Sequence, residues 1–197
     1  MSLLLHNNDY QALHDYLAEH NLILKPEWFT PKTNIEPHQA LWVMYSSFAK
    51  KKIMPAEWAM NPNWAKKGQV PRALTVARAE SVFDRVSYKA LIKRYRALIP
   101  VNGFMARSLS RNREGHYVMY EFSDSQQEAF SLAALYQFNI DGNMQVVLLT
   151  KAVKVPELKK TIRLPLTIEN KKVDEWLESE KFTKIKNWIN DYQMPEK

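Results

Sequence analysis

The chain has 197 residues, 46% hydrophobic and 25% charged, which is ordinary for a globular protein and enough for one domain with a substantial core. It contains no cysteine, which excludes disulfides, thiolate catalysis and cysteine-ligated metals. A formal net charge of +7 admits an anionic partner without requiring one, and no apolar run approaches the ~18 residues of a membrane helix.

Taken in chain order, Ser2–His6 (SLLLH) reads as a short buried strand. A helix follows over NDYQALHDYLAEHNL, with Asn8 or Asp9 as cap and Tyr10, Leu13, Tyr16 and Leu17 at helical spacing. Pro26, Pro31 and Pro37 make the next stretch mostly loop. Ala40–Phe48 is an apolar β-rich run, Lys50–Lys52 a turn, and IMPAEWAM a further strand. NPNWAKKGQVPR is a polar loop carrying Trp64. ALTVARAES reads as extended, which would put Arg78 and Glu80 on one face. SYKALIKRYRAL reads as one amphipathic helix, with Tyr88, Leu91, Ile92 and Tyr95 on its apolar side. LIPVNGF is a short strand and turn, and Arg107–Gly115 a basic hairpin loop.

HYVMYEF, AFSLAALYQF and MQVVLLTKAV read as three strands, the last two joined through the Asp-Gly turn of Asn139–Asn143. VPELKKTIRLPLTI is loop and strand, and two helices close the chain within 170–192. No internal repeat or low-complexity tract is present. The expected architecture is therefore α+β: a curved, mostly antiparallel sheet, barrel-like in its core, with peripheral helices and no domain boundary within 1–197.

The five histidines lack metal-ligand spacing, and no phosphate-binding glycine loop or nucleophile elbow is present, so neither a metal nor a cofactor is expected. Basic residues cluster at Lys50–Lys52, at Lys66, Lys67 and Arg72, at Lys93–Arg96, and at Arg107–Arg113. Trp58 and Trp64 lie between the first two groups. Cations for phosphates and flat rings for unstacked bases are what single-stranded nucleic acid requires. The same residues also fit solvated loop charges and core tryptophans.

Several stretches, in order from about 2 to 176, resemble the SRAP family, the SOS-response-associated peptidases or abasic-site processing proteins. The family's W-G-x-x-P-x-W is similar to Trp58-Ala-Met-Asn-Pro62-Asn-Trp64, and its N-A-R-A-E-T to VARAES. Its C-L-I-P-A-D-G-F/W-Y-E-W is similar to Ala97–Arg107. Its H-x-R-x-P is similar to Thr161-Ile-Arg163-Leu-Pro165, and VVLLTKAV with Thr150 matches a further strand. The segment Thr33-Asn34-Ile-Glu-Pro37 resembles the family's Y-N-V-A-P, and a helix with a tryptophan, Trp176, follows in both.

The resemblance implies a cysteine at position two that forms a thiazolidine with the aldehyde of an abasic site, helped by an asparagine, a glutamate and a histidine. Those four positions hold Ser2, Val76, Ala106 and Thr161 here. The residues implied to bind DNA are kept: Arg78 and Arg163 on phosphates, Trp64 on bases, Thr150 near the lesion, with Glu80 orienting Arg78. The expectation is a degenerate member, without the family's crosslinking or peptidase activity, that binds single-stranded or abasic-site DNA. It is expected to be cytoplasmic, bacterial or phage-encoded, with no membrane association. The alternatives are an interaction or structural module that has lost DNA, with Arg78 and Arg163 pairing with carboxylates, or an enzyme using His116 or Glu114.

Overall fold

The apolar runs in the middle of the chain pair into a closed ring of strands in the computed structural model, which describes residues 3–62, 73–112, 114–123, 128–155, 160–178, 180 and 182–192. The first half contributes β1 (Leu3–Asn7), α1 (Tyr10–Glu19), β2 (Lys32–Ile35), β3 (Ala40–Ser47), β4 (Lys50–Glu57) and β5 (Val76–Arg78). Next come α2 (Val86–Lys89), α3 (Leu91–Arg94), β6 (Arg96–Val101), β7 (Gly103–Arg111), β8 (Tyr117–Ser123) and β9 (Phe130–Phe138). The chain ends with β10 (Met144–Val155), β11 (Lys160–Pro165), β12 (Thr167–Ile168), α4 (Val173–Glu178) and α5 (Phe182–Asp191). The expected α+β architecture holds.

Strand β10 is the hub. It pairs antiparallel with β9 and β11 and parallel with β4 and β5, and the pairings β4–β3, β3–β6 and β6–β9 complete the ring. A second, antiparallel sheet has the order β2–β1–β7–β8. Side chains alternate along its strands. Leu3, Leu5, Phe104 and Ala106 turn inward to meet Val153, Val155, Ile162 and Leu164 of β10 and β11. Helices α1, α4 and α5 cover the rest of the core with Leu13, Leu17, Trp176 and Ile189.

Local chemistry fixes the ends of these elements. The Asp9 carboxylate accepts from the Ala12 N–H at 3.1 Å and caps α1. The Asn102 side-chain carbonyl accepts the preceding Asn8 and Asp9 N–H groups, tying the start of α1 to the β6–β7 corner. Tyr16 donates to Ser131 Oγ at 2.7 Å, and burial, against the opposing effect of that bond, pushes its phenol up to about 12. Asn139 Oδ1 accepts from Asp141 and Asn143, and Gly142 takes φ +80°, which makes the expected Asp-Gly turn.

Five local expectations change. Of the expected hairpin loop Arg107–Gly115, Arg107–Arg111 belong to strand β7 and pair with β8. Lys50–Lys52 open β4 rather than forming a turn, because Phe48 and Ala49 supply the two positive-φ residues of a tight hairpin between Ser47 and Lys50. The stretch 26–37 contains a 3-10 turn, Pro26–Trp28, and strand β2. VARAES is extended only to Arg78; Ala79–Ser81 form a 3-10 turn. SYKALIKRYRAL is not one helix. It breaks into α2 and α3, and β6 starts at Arg96.

The cause of that last break is the Arg96 side chain. It is 4% exposed and donates to the carbonyls of Ile92, Lys93 and Trp176. A guanidinium that satisfies the last carbonyls of α3 ends the helix and begins a buried strand. Trp176 Nε1 donates back to the Ala97 carbonyl at 2.9 Å, which locks α4 onto β6.

Candidate nucleic-acid interface

Thr150 is flanked in the sheet by Arg78 of β5 on one side and Pro165 of β11 on the other, and Arg163 stands opposite Ala152. This register gathers Arg78, Thr150 and Arg163, far apart in sequence, around one stretch of β10. Thr150 itself is wholly buried, and its hydroxyl donates to the Ala77 carbonyl at 3.2 Å. Its side chain secures β5 and does not face solvent.

The turn after Arg78 swings Glu80 across the edge of β10. Its Oε1 accepts from the Ala152 N–H and from Arg163 Nη2, each at 3.0 Å, and its Oε2 accepts from Arg163 Nη1 at 3.0 Å. Arg163 Nη1 also donates to the Thr150 carbonyl at 3.1 Å. Burial works to raise the Glu80 carboxyl pKa, but the Arg163 and Ala152 bonds outweigh it and hold the group below the usual carboxylate range. Glu80 therefore orients Arg163, not Arg78 as the resemblance implies. The two residues lie on a strand and a turn, so they do not share a face.

That pairing leaves the two arginines in different states. The Arg163 side chain is 16% exposed and its charge is met by Glu80. Arg78 is exposed, and no hydrogen bond or ion pair among the described residues holds its guanidinium.

The four positions of the family's chemistry fall as follows. Val76 is half-buried and packs against the same apolar cluster that contains Ala106, which is 1% exposed and stands opposite Leu3 in the β1–β7 register. Thr161 is exposed on β11, two residues before Arg163 and opposite Lys154. Ser2 and Trp64 lie outside the described residues, as do Lys66, Lys67, Arg72 and Arg113.

Several expected surface groups serve the fold. Trp58 is fully buried and donates to the Thr75 carbonyl, so it is core rather than a stacking ring. Lys51 pairs with Asp174 at 2.8 Å. Lys151, not singled out by the sequence, donates to the carbonyls of Ile189, Asn190 and Tyr192 and caps α5. His116 and Glu114 sit exposed at a hairpin tip with 4.0 Å between Nδ1 and Oε2, too far for the hydrogen bond an acid–base pair would use. Among the described residues no three His, Asp or Glu side chains converge as a metal would require.

A ring of strands with a second sheet against it, and the exposed Arg78 beside the Arg163–Glu80 pair on β10, define an α+β barrel-like protein. The model of the SOS response associated peptidase (SRAP) family matches residues 5–196, and the chain belongs to that family. It is 25% identical over 155 residues to the abasic site processing protein YobE of Bacillus subtilis (strain 168), covering 76% of this chain and 69% of the relative. It is 23% identical over 153 residues to YoqW of Bacillus phage SPbeta, covering 76% and 67%. Two solved structures from Bordetella bronchiseptica share the fold. One has a TM-score of 0.72 at 14% identity, covering 100% of this chain and 95% of the other. The second, a phage-related protein, has 0.73 at 15% identity, covering 99% and 90%.

Proposed function

We propose that this chain is a catalytically degenerate SRAP protein that binds single-stranded or gapped DNA reversibly, within the DNA-damage context that its abasic-site processing relatives suggest. The observation that carries the reading is the contrast between the emptied chemical positions and the retained cations. No cysteine is present to form a thiazolidine, and the positions for amide, acid and imidazole hold Val76, Ala106 and Thr161. A serine hydroxyl at position two would give at best a less stable oxazolidine, and none of these three side chains can move a proton for it. Arg78 meanwhile stays exposed beside the braced Arg163–Glu80 pair, where a phosphate can reach it.

A DNA titration tests this. Single-stranded, duplex and abasic-site oligonucleotides are titrated at two salt concentrations, and the mixtures are run on a denaturing gel. The expected result is reversible binding whose log affinity falls with log salt by about 0.7 per single-strand phosphate contacted, with no covalent band. A shifted covalent band overturns the loss of chemistry. Unmeasurable binding at low salt overturns the DNA reading in favour of an interaction module, which the internal pairing of Arg163 would then explain.

A further inference from the structure

Hairpin β7–β8 holds a second cationic group. Two guanidinium groups approach the Tyr117 ring, with Arg107 Cζ 4.2 Å and Arg111 Cζ 5.4 Å from its centroid. In a regular strand, residues four apart are separated by about 13 Å, too far for both to cover one ring. The register supplies the difference. Arg107 stands opposite Met119 and Arg111 opposite Tyr117, so four steps along β7 span two steps along β8. This bulge draws both arginines onto one aromatic.

The bulge is held in place from both sides. Ser108 is 3% exposed, and its Oγ accepts the Val118 N–H at 3.0 Å. Asn112 Oδ1 accepts from Glu114 and His116 at 3.1 and 2.8 Å, closing the loop next to Arg111. The result is a preorganised group on the solvent side. Tyr117 is 43% exposed, and among the described residues no carboxylate pairs with Arg107 or Arg111.

We propose that Arg107, Tyr117 and Arg111 form a second contact for single-stranded DNA, separate from Arg78. This rests on the DNA-binding reading above. Guanidinium groups held against a ring by cation–π attraction keep N–H donors for phosphate oxygens, and the exposed part of the ring accepts a stacked base. Phosphate plus base is what distinguishes single-stranded DNA from a simple anionic surface.

The full chain is titrated with a labelled oligothymidylate of about 12 nucleotides over a salt series. Arg107→Gln with Arg111→Gln should reduce the magnitude of the log affinity versus log salt slope by about 1.4, with the melting temperature unchanged. Tyr117→Ala should weaken binding roughly tenfold, and Tyr117→Phe should not. If the parent binds and the double variant keeps the full slope, the second contact is wrong while the DNA reading stands. If the parent fails to bind at low salt, both fall. Equal losses by the two Tyr117 variants also overturn the proposal, because the hydroxyl and not the ring would then matter, as does an equal loss of binding to phosphatidylserine vesicles in the double variant, because a merely cationic patch would behave that way.

Discussion

Arg163 donates both terminal nitrogens to the two carboxylate oxygens of Glu80, each at 3.0 Å, across 83 residues of sequence. The pair sits where β5, β10 and β11 meet, and the same carboxylate takes the Ala152 N–H at the strand edge. It therefore joins three strands with one side chain.

The first prediction concerns this pair and pH. The folded-state pKa of Glu80 is depressed, so its contribution is present above the unfolded carboxylate value of about 4.3 and is lost as pH falls through the folded value. Thermal melts of the parent and Glu80→Gln should differ at pH 7, by about 1 kcal/mol at this partly exposed site, and the difference should shrink progressively as pH falls below the unfolded carboxylate value. A difference that persists unchanged at pH 3 would show that the pair is not its source.

Arg78 and Arg163 should separate in mutagenesis. Arg78→Ala removes an exposed cation with no described partner, so it should leave the melting temperature alone and reduce the salt slope of DNA binding by about 0.7. Arg163→Ala leaves Glu80 unpaired and the Thr150 carbonyl short of a donor, so it should lower the melting temperature as well. Identical stability effects for the two variants would contradict the division of roles.

These roles were only partly readable in the sequence. The Asp9 cap and the Asn139–Asn143 turn were legible because the atoms that make them lie within a few residues of each other. The order of strands β8 to β10 was legible from their apolar runs. Nothing in ARAES marks the 3-10 turn that carries Glu80 away from Arg78 to Arg163. The Arg107–Tyr117–Arg111 group depends on a bulge, which is a property of two paired strands and not of either alone. Trp58 and Arg96 looked like surface binding residues because burial of a polar tip depends on partners, the Thr75 and Trp176 carbonyls, that composition does not display.

Arg96 gives a third prediction. Arg96→Met keeps the apolar stem but orphans the carbonyls of Ile92, Lys93 and Trp176 inside the protein. The expected cost is about 3 kcal/mol. In urea unfolding this reads as a lower midpoint with an unchanged slope. DNA affinity of the folded fraction should not change, which would separate this basic residue from Arg78.

The last prediction tests the proposed loss of the family's chemistry one residue at a time. Ala106 is 1% exposed and shares its apolar cluster with Val76, Leu3 and Ile162. Ala106→Glu alone puts a carboxylate among these groups with no partner, and should destabilise the fold by about 3 kcal/mol or protonate to avoid that cost. Ser2→Cys alone should restore no crosslink, because the thiol would still lack an acid–base partner at Val76, Ala106 and Thr161. A covalent band on abasic DNA from Ser2→Cys alone would mean that the remaining residues already supply the proton transfers, and the account of these three positions would be wrong.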